Sequence, residues 1–284
     1  MRQGSIEWLN TRKKLIGASD AAVIMGVSPW KTPYQLWQEK LCLVESQPSS
    51  PAMQRGTETE PIALEEYENI VGHLMMDAVI FNPDYPWMMA SMDGIPIDGG
   101  DRKDVEIKVP GQGDHELALK DLIPDKYYPQ LQHQMCVRGR DKMDYFSWNE
   151  ESSVILEVIR NQAYIDRMLD LQRQFYECMT TNTPPPLTDR DYVDRNDDEW
   201  AELELQLLAA SNDRKAAESE EKRIKKLLEQ SSGGYNVRGR YTKFTRVVTI
   251  GRVNYDLIPE LKDVDLSKFR GEPSTYWKVT ETKR

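Results

Sequence analysis

Residues 89–110 read MASMDGIPIDGGDRKDVEIKVP. They hold the end of one strand, a loop rich in Gly and Asp, and the whole of the next strand. VEIKVP alternates, so Glu106 and Lys108 project from one face while Val105, Ile107 and Val109 project from the other. Asp93, closing the preceding strand, then lies near Glu106 and Lys108. Two carboxylates and an amine at one spot suit a hard divalent cation such as Mg²⁺ or Mn²⁺. A cation held there can polarise a phosphate and lower the pKa of a bound water, which is the equipment of phosphodiester hydrolysis. D-x(12)-E-x-K is nevertheless a loose pattern, and many strands carry E-x-K as a plain solvated face, so both readings stand on these residues alone.

Upstream, HLMMDAVIF and PWMMASMDG read as short strands, giving three strands with their acids gathered at one end. Before them RGTETEPIALEEYENIVG shows a helical period through Ile62, Leu64, Tyr67 and Ile70, with Pro61 fitting the first turn and ESQPSSPAMQ forming a loop ahead of it. Glu58 and Glu60 fall at the start of that helix. There they suit its dipole, and Glu60 is also placed to join an acidic cluster. In 7–43, Trp8, Leu9 and Leu15 give the apolar side of a short helix, and Ser19 is expected to cap the next, DAAVIMG, which Gly26 stops. Thr32 and Pro33 start a third helix that buries Leu36, Trp37 and Leu41. Arg12 and Ser19 carry two readings, a surface arginine with a helix cap or an anion pocket.

Downstream, DKYYPQLQHQMCVRG reads as a helix whose packed face takes Tyr128, Leu131, Met135 and Gln132, with Gln130 and Gln134 beside it as helix surface. MDYFSWN and SSVILEVI are two more strands, and YIDRMLDLQRQFYECM is an amphipathic helix using Ile165, Met168, Leu169, Gln172, Phe175 and Met179. Helix, three strands, helix, two strands, helix makes an α+β core with a central mixed sheet flanked by helices. The Pro- and Asp-rich stretch TNTPPPLTDRDYVDRNDDE marks a boundary, giving a core over 1–183, a linker over 184–199 and an extension over 200–284. The extension opens with a long helix over 200–230 whose Leu203, Leu207, Ala210, Ala217, Ile224 and Leu228 form a narrow heptad seam. A strand-rich stretch follows with Arg238, Arg240, Lys243, Arg246 and Arg252, either an ordinary sheet surface or a DNA-facing patch.

Composition sets outer bounds. A chain of 284 residues, 30% of them charged, with a mean hydropathy of -0.66 and no apolar run of membrane-spanning length, points to no membrane span and no export. Cys42, Cys136 and Cys178 lie far apart, against a disulfide framework or a zinc site and in keeping with a reducing cytoplasm. His73, His115 and His133 lack metal-ligand spacing. The net charge of -10 argues against tight indiscriminate DNA binding, yet a locally basic surface beside an acidic metal site is compatible with it.

Laid out together, five blocks occur in one order: W-x(3)-R-x(6)-S-D from Trp8 to Asp20, the SPWKTP turn, GTETEP, ASMDG with EIKVP, and YYPQLQHQM. In this the first 180 or so residues resemble the lambda-exonuclease branch of the PD-(D/E)XK nucleases, specifically the YqaJ-like phage recombination exonucleases. The resemblance implies a restriction-endonuclease-like core and a Mg²⁺-dependent 5′-to-3′ exonuclease, with Mn²⁺ as substitute and two ions per site. It implies that Asp93, Glu106 and the Ile107 carbonyl bind metal, that Lys108 orients or activates the attacking water, and that Glu60 joins the same acidic cluster. Gln130 would stand close to the scissile phosphate, and Arg12 and Ser19 would receive a 5′-phosphate. Double-stranded DNA ends, a single-strand annealing recombinase, a homo-oligomer with a trimer favoured, and the cytoplasm of a bacterial host follow from the same resemblance. Two other readings remain: a Cas4-like, helicase-associated or other PD-(D/E)XK DNA nuclease, whose iron–sulfur version three scattered cysteines disfavour, and a catalytically inactive DNA-end-binding scaffold.

Overall fold

The structure, a computed structural model, describes residues 1–45, 50–249, 251, 254–255, 258–261 and 264–272. The chain divides into two compact units, residues 1–194 and 195–284.

The first unit begins with α1 (Ile6–Lys14), capped by the Ser5 hydroxyl, which accepts from the Trp8 N–H. Trp8 is its one buried residue, and Leu9, expected to be apolar packing, is exposed. The two-residue strand β1 (Ile16–Gly17), a 3-10 turn (Ala18–Asp20) and the single turn α2 (Ala21–Ile24) follow. Ser19 is therefore inside the turn and exposed, and caps nothing. The capping is done by the Asp20 carboxylate, which reaches back to accept the Gly17 N–H at 2.9 Å. Thr32 and Gln35 close a capping box at the head of α3 (Pro33–Lys40), whose Leu36 and Trp37 are buried.

Helix α4 (Pro51–Val71) starts ten residues earlier than Pro61 suggested, so Pro61 interrupts the backbone ladder from within. Glu58 and Glu60 are consequently mid-helix residues, remote from the dipole's positive end. Strands β2 (Met75–Phe81), β3 (Met88–Pro96) and β4 (Val105–Lys108) come next, then α5 (Gln112–Ala118), α6 (Tyr128–Arg138), β5 (Lys142–Trp148), β6 (Ser153–Ile159) and α7 (Gln162–Thr180). The sheet is mixed: β2 lies antiparallel along β3, β1 runs parallel to the start of β3, β3 and β4 are antiparallel, β4 and β5 parallel, β5 and β6 antiparallel.

Helices cover both faces. One apolar cluster joins α2, β3, α6 and α7 through Ala21, Met88, Met92, Leu131, Met135, Ile165 and Met168. On the other face Ala63 and Tyr67 of α4 pack against Met75, Val105, Ile107 and Phe146. A third cluster sets Leu36 and Trp37 of α3 against Phe175 and Met179 of α7. Methionine supplies much of this interior, with Met75, Met88, Met89, Met92, Met135, Met143, Met168 and Met179 all buried. Its unbranched thioether fills irregular gaps between helix and sheet.

Helix α6 departs most from expectation. Gln132, His133 and Gln134 are all 0% exposed. Each amide or imidazole meets a specific partner: Gln132 donates to the Ile159 carbonyl and accepts the Asn161 N–H, and His133 lies between the Met89 carbonyl and the Gln172 amide. A polar row survives burial when its hydrogen bonds are supplied in this way.

In the second unit α8 (Asp198–Ser231) is capped by Asp197 and has no buried residue among those described. Its expected seam, Leu203, Leu207, Ile224 and Leu228, is exposed. The basic stretch beyond it forms a short antiparallel pair, β7 (Val237–Arg238) with β8 (Lys243–Phe244). Arg238, Arg240, Lys243 and Arg246 are exposed, and Arg252 lies outside the described residues. No helix among the described residues is long and apolar enough to cross a membrane.

Candidate active site

The site forms where β3 and β4 part. Their pairing consists of Gly94 opposite Val105. Alongside it the Ile107 N–H bonds to a side chain, the Asp93 carboxylate, at 2.9 Å. The gap between the strands is thus held by Asp93 itself. Gly94 allows the pairing because a Cβ there would stand 2.6 Å from Val105 Cγ1. Beneath, Arg138 at the end of α6 grips Asp104 through Nε at 2.8 Å and Nη2 at 3.1 Å, tying β4 to that helix.

The alternation expected of β4 holds. Ile107 packs on the α4 face, while Glu106 turns toward α6 and is 1% exposed. One oxygen of Glu106 accepts from Lys108 Nζ and from the Gln130 amide, the other from the Gln134 amide. Gln134 also donates to the Ser91 carbonyl at 3.2 Å, so one buried amide spans β3 and β4. The Lys108 ammonium sits 5.5 Å from the centre of the Tyr127 ring.

In the same cavity Arg12 donates from Nη2 to the Ser19 hydroxyl at 2.5 Å, and its guanidinium lies 5.0 Å from the Trp8 ring. Trp8 in turn donates its indole N–H to the Ser91 hydroxyl at 2.9 Å, which anchors α1 to β3. Arg12, Ser19, Glu60, Asp93, Glu106, Ile107, Lys108 and Gln130, the eight residues singled out in the sequence, all line one cavity of about 180 Å³. Trp8, Gly17, Met89 and Ser91 line it too. Ser91 and Gln134 escaped the sequence reading. Ser91 stands two residues before Asp93 on the same strand, a spacing that signals a shared side, whereas nothing local marks Gln134 as facing Glu106.

Carboxylates outnumber ammonium groups around Lys108. Burial pushes the Asp93 carboxyl well above the usual carboxylate range, the charges of Glu106 and Glu60 push it further, and Lys108 only partly offsets them. Burial likewise raises Glu60, with Glu106 adding to it. Burial alone would lower Lys108, but Glu106 and Asp93 outweigh it and keep the ammonium above its ordinary value. Such a set lacks positive charge, and a divalent cation would supply it. Among the described residues no three His, Cys, Asp or Glu side chains form a ready-made cage. Two carboxylates and a carbonyl nonetheless fit Mg²⁺, which keeps several waters and takes substrate phosphate oxygens in place of an all-protein cage. The cysteines do not gather: Cys42 is exposed, Cys136 buried and Cys178 half-buried.

Residues 7–141 match the family model of the YqaJ-like viral recombinase domain. The chain is 29% identical over 189 residues to the uncharacterized protein YqaJ of Bacillus subtilis (strain 168), a match covering 64% of this chain and 59% of that protein. It therefore spans less than two thirds of that relative's length. Among solved structures it is similar to an alkaline exonuclease from Laribacter hongkongensis, with 26% identity, a TM-score of 0.54, and coverage of 63% of this chain and 94% of the other. The same exonuclease in complex with dAMP matches at 26% identity over the same shares, with a TM-score of 0.55.

Proposed function

We propose, from the YqaJ-like recombinase domain that residues 7–141 carry, that this chain is a metal-dependent exonuclease degrading one strand of linear double-stranded DNA from 5′ to 3′ and exposing a 3′ single strand for phage-type recombination. One observation carries the reading: a single cavity is lined by Asp93, Glu106, Glu60, Lys108 and Gln130 and also by Arg12 and Ser19. A charge-rich cluster and an anion-binding pair that share one cavity fit a strand end better than the middle of a strand. The similar alkaline exonuclease, whose crystals hold dAMP, adds support for a nucleotide substrate.

Asp93, Glu106 and the Ile107 carbonyl would hold two Mg²⁺ ions, with Mn²⁺ as substitute. Bound ions offset the charge that opposes attack on an anionic phosphodiester and acidify a water. Lys108, kept protonated by its acidic neighbours, donates to the attacking water and orients it. Gln130 offers its amide to the scissile phosphate, and Glu60 adds its carboxylate to the cluster. Arg12 and Ser19 receive the terminal 5′-phosphate and so set the register of cleavage. In this reading the partners are duplex ends and a single-strand annealing recombinase. The assembly is a homo-oligomer, a trimer favoured, working in the cytoplasm of a bacterial host. A basic surface confined to the DNA path reconciles the net charge of -10 with that substrate.

The test is a linear duplex labelled separately at each 5′ and 3′ end, incubated with Mg²⁺ or with chelator. Early release of 5′ label, late release of 3′ label and silence in chelator are expected. A 5′-phosphorylated duplex left intact with Mg²⁺, or erosion from the 3′ end, sinks the proposal.

A further inference from the structure

Among the described residues the mechanism above leaves one buried cation unused. Lys40, the last residue of α3, is 8% exposed and belongs to no wall of the cavity. Its ammonium has three donors, and all three are engaged: with the Arg12 carbonyl at 2.7 Å, the Leu15 carbonyl at 2.8 Å and Asp20 Oδ2 at 2.5 Å. The two carbonyls belong to the end of the helix that carries Arg12. Asp20 belongs to the turn that carries Ser19. Lys40 thus joins the two pieces of backbone that carry the anion-binding pair.

Asp20 faces two cations. Its Oδ2 takes Lys40 and the Gly17 N–H, while its Oδ1 stands 3.8 Å from Arg12 Nη2. One carboxylate between two cations leaves one positive charge over. Arg12, its side chain 36% exposed, is the member of the trio that reaches the cavity. Without Lys40 the count changes: buried Asp20, 5% exposed, would have Arg12 as its sole cationic partner and would draw the guanidinium inward to avoid an unpaired charge. The clamp has a firm base, because α3 is fixed to α7 by buried Leu36 and Trp37 and by the Trp37 indole donating to the Cys178 carbonyl at 3.0 Å.

We infer that Lys40 is a positioning residue for recognition of the strand end: it satisfies Asp20 and pins the Arg12 and Leu15 carbonyls, so that Arg12 and Ser19 stay free and aligned for a terminal phosphate. The inference rests on the end-pocket reading of Arg12 and Ser19 given above. It assigns Lys40 no part in hydrolysis.

The experiment is a double-mutant cycle on the full chain. Lys40→Met, Arg12→Ala and the double variant are compared with the wild type on duplexes bearing 5′-phosphate or 5′-hydroxyl ends, with KM and kcat measured for each. Duplex binding in chelator, read by fluorescence anisotropy, gives a second readout that needs no turnover. Lys40→Met is expected to raise KM on 5′-phosphate ends about tenfold, the size of one charge-assisted hydrogen bond. KM on 5′-hydroxyl ends and kcat on both are expected to change little, the double variant to lose nothing beyond Arg12→Ala, and Lys40→Arg to recover part of the preference. Equal losses on the two ends, or losses that add to those of Arg12→Ala, overturn the inference and leave the end pocket standing. A wild type indifferent to the terminal phosphate overturns the pocket and the inference together. If Lys40→Met fails to fold, Asp20→Asn carries the test, since it removes the charge for which Lys40 and Arg12 compete. With that charge gone nothing draws Arg12 inward, so phosphate preference is expected to hold or strengthen, and a loss of preference in Asp20→Asn is then the overturning result.

Discussion

At the scale of single residues the site is assembled against its own repulsion. Asp93 is buried beside Glu106 and Glu60, and its carboxyl is held far up for that reason. Asp93→Asn keeps an oxygen for the Ile107 N–H and removes one charge. The metal-free variant is therefore expected to melt at or above the wild-type temperature, while strand digestion falls by about a thousandfold or more, the scale of losing a transition-state electrostatic partner. Mg²⁺ should raise the melting temperature of the wild type and leave that of the variant unmoved, because ligand stabilisation needs an intact site. Thermal melts with and without chelator, run beside a digestion assay, check both halves. Plain alternation made Glu106 and Lys108 legible in the sequence: period two along VEIKVP is enough to set them together and Ile107 opposite. Asp20, Lys40, Ser91 and Gln134 were illegible in their roles. Lys40 meets carbonyl oxygens 25 and 28 positions away, and Gln134 meets Glu106 at a separation of 28, where no local period reaches.

At the scale of elements, helices and strands were largely readable and their ends were not. The segment of α7 from Ile165 to Met179 buries the face its periodicity gave. By contrast α4 runs through Pro61, since Tyr67 and Ala63 dock on the sheet firmly enough to carry a helix across one missing rung. In α6 the buried Gln134 looked like surface because apolar periodicity cannot distinguish a solvated amide from one satisfied by a neighbouring strand. The meeting of β3 and β4 gives an element-level prediction. Gly94→Ala drives a methyl against Val105 Cγ1, a stiff β-branched side chain, and toward Met75, whose nearest atoms lie at 3.2 and 3.3 Å. Overpacking of this kind costs about 1–3 kcal/mol. Because Asp93 is the adjoining residue, activity should fall further than stability alone explains. Denaturant melts and digestion rates on the same preparation separate the two.

At the scale of the whole molecule, stability against acid depends on a histidine that never meets solvent. Burial lowers the His133 imidazole to about 4, below its ordinary 6.5. As a neutral ring it bridges the Met89 carbonyl on β3 and the Gln172 amide on α7. Between those two values the unfolded chain takes up a proton that the folded chain refuses. Stability is thus complete above about 6.5 and is lost as pH falls toward about 4, by on the order of 3 kcal/mol across the window. Urea unfolding at pH 4.5 and 7.5 should show the loss, and His133→Gln should flatten it. A wild type equally stable at both values contradicts this. The long helix over 200–230 was visible in composition and periodicity, and it starts two residues earlier, at Asp198 behind the Asp197 cap, yet what its exposed leucines meet is not written in heptad spacing. A last consequence follows from the methionine-filled interior. Flexible thioethers from β3, α6 and α7 lie buried around the sheet, with Met89 lining the cavity, so isotope-labelled terminal methyls would give the spectroscopist a ready network of internal reporters, one of them in contact with the site.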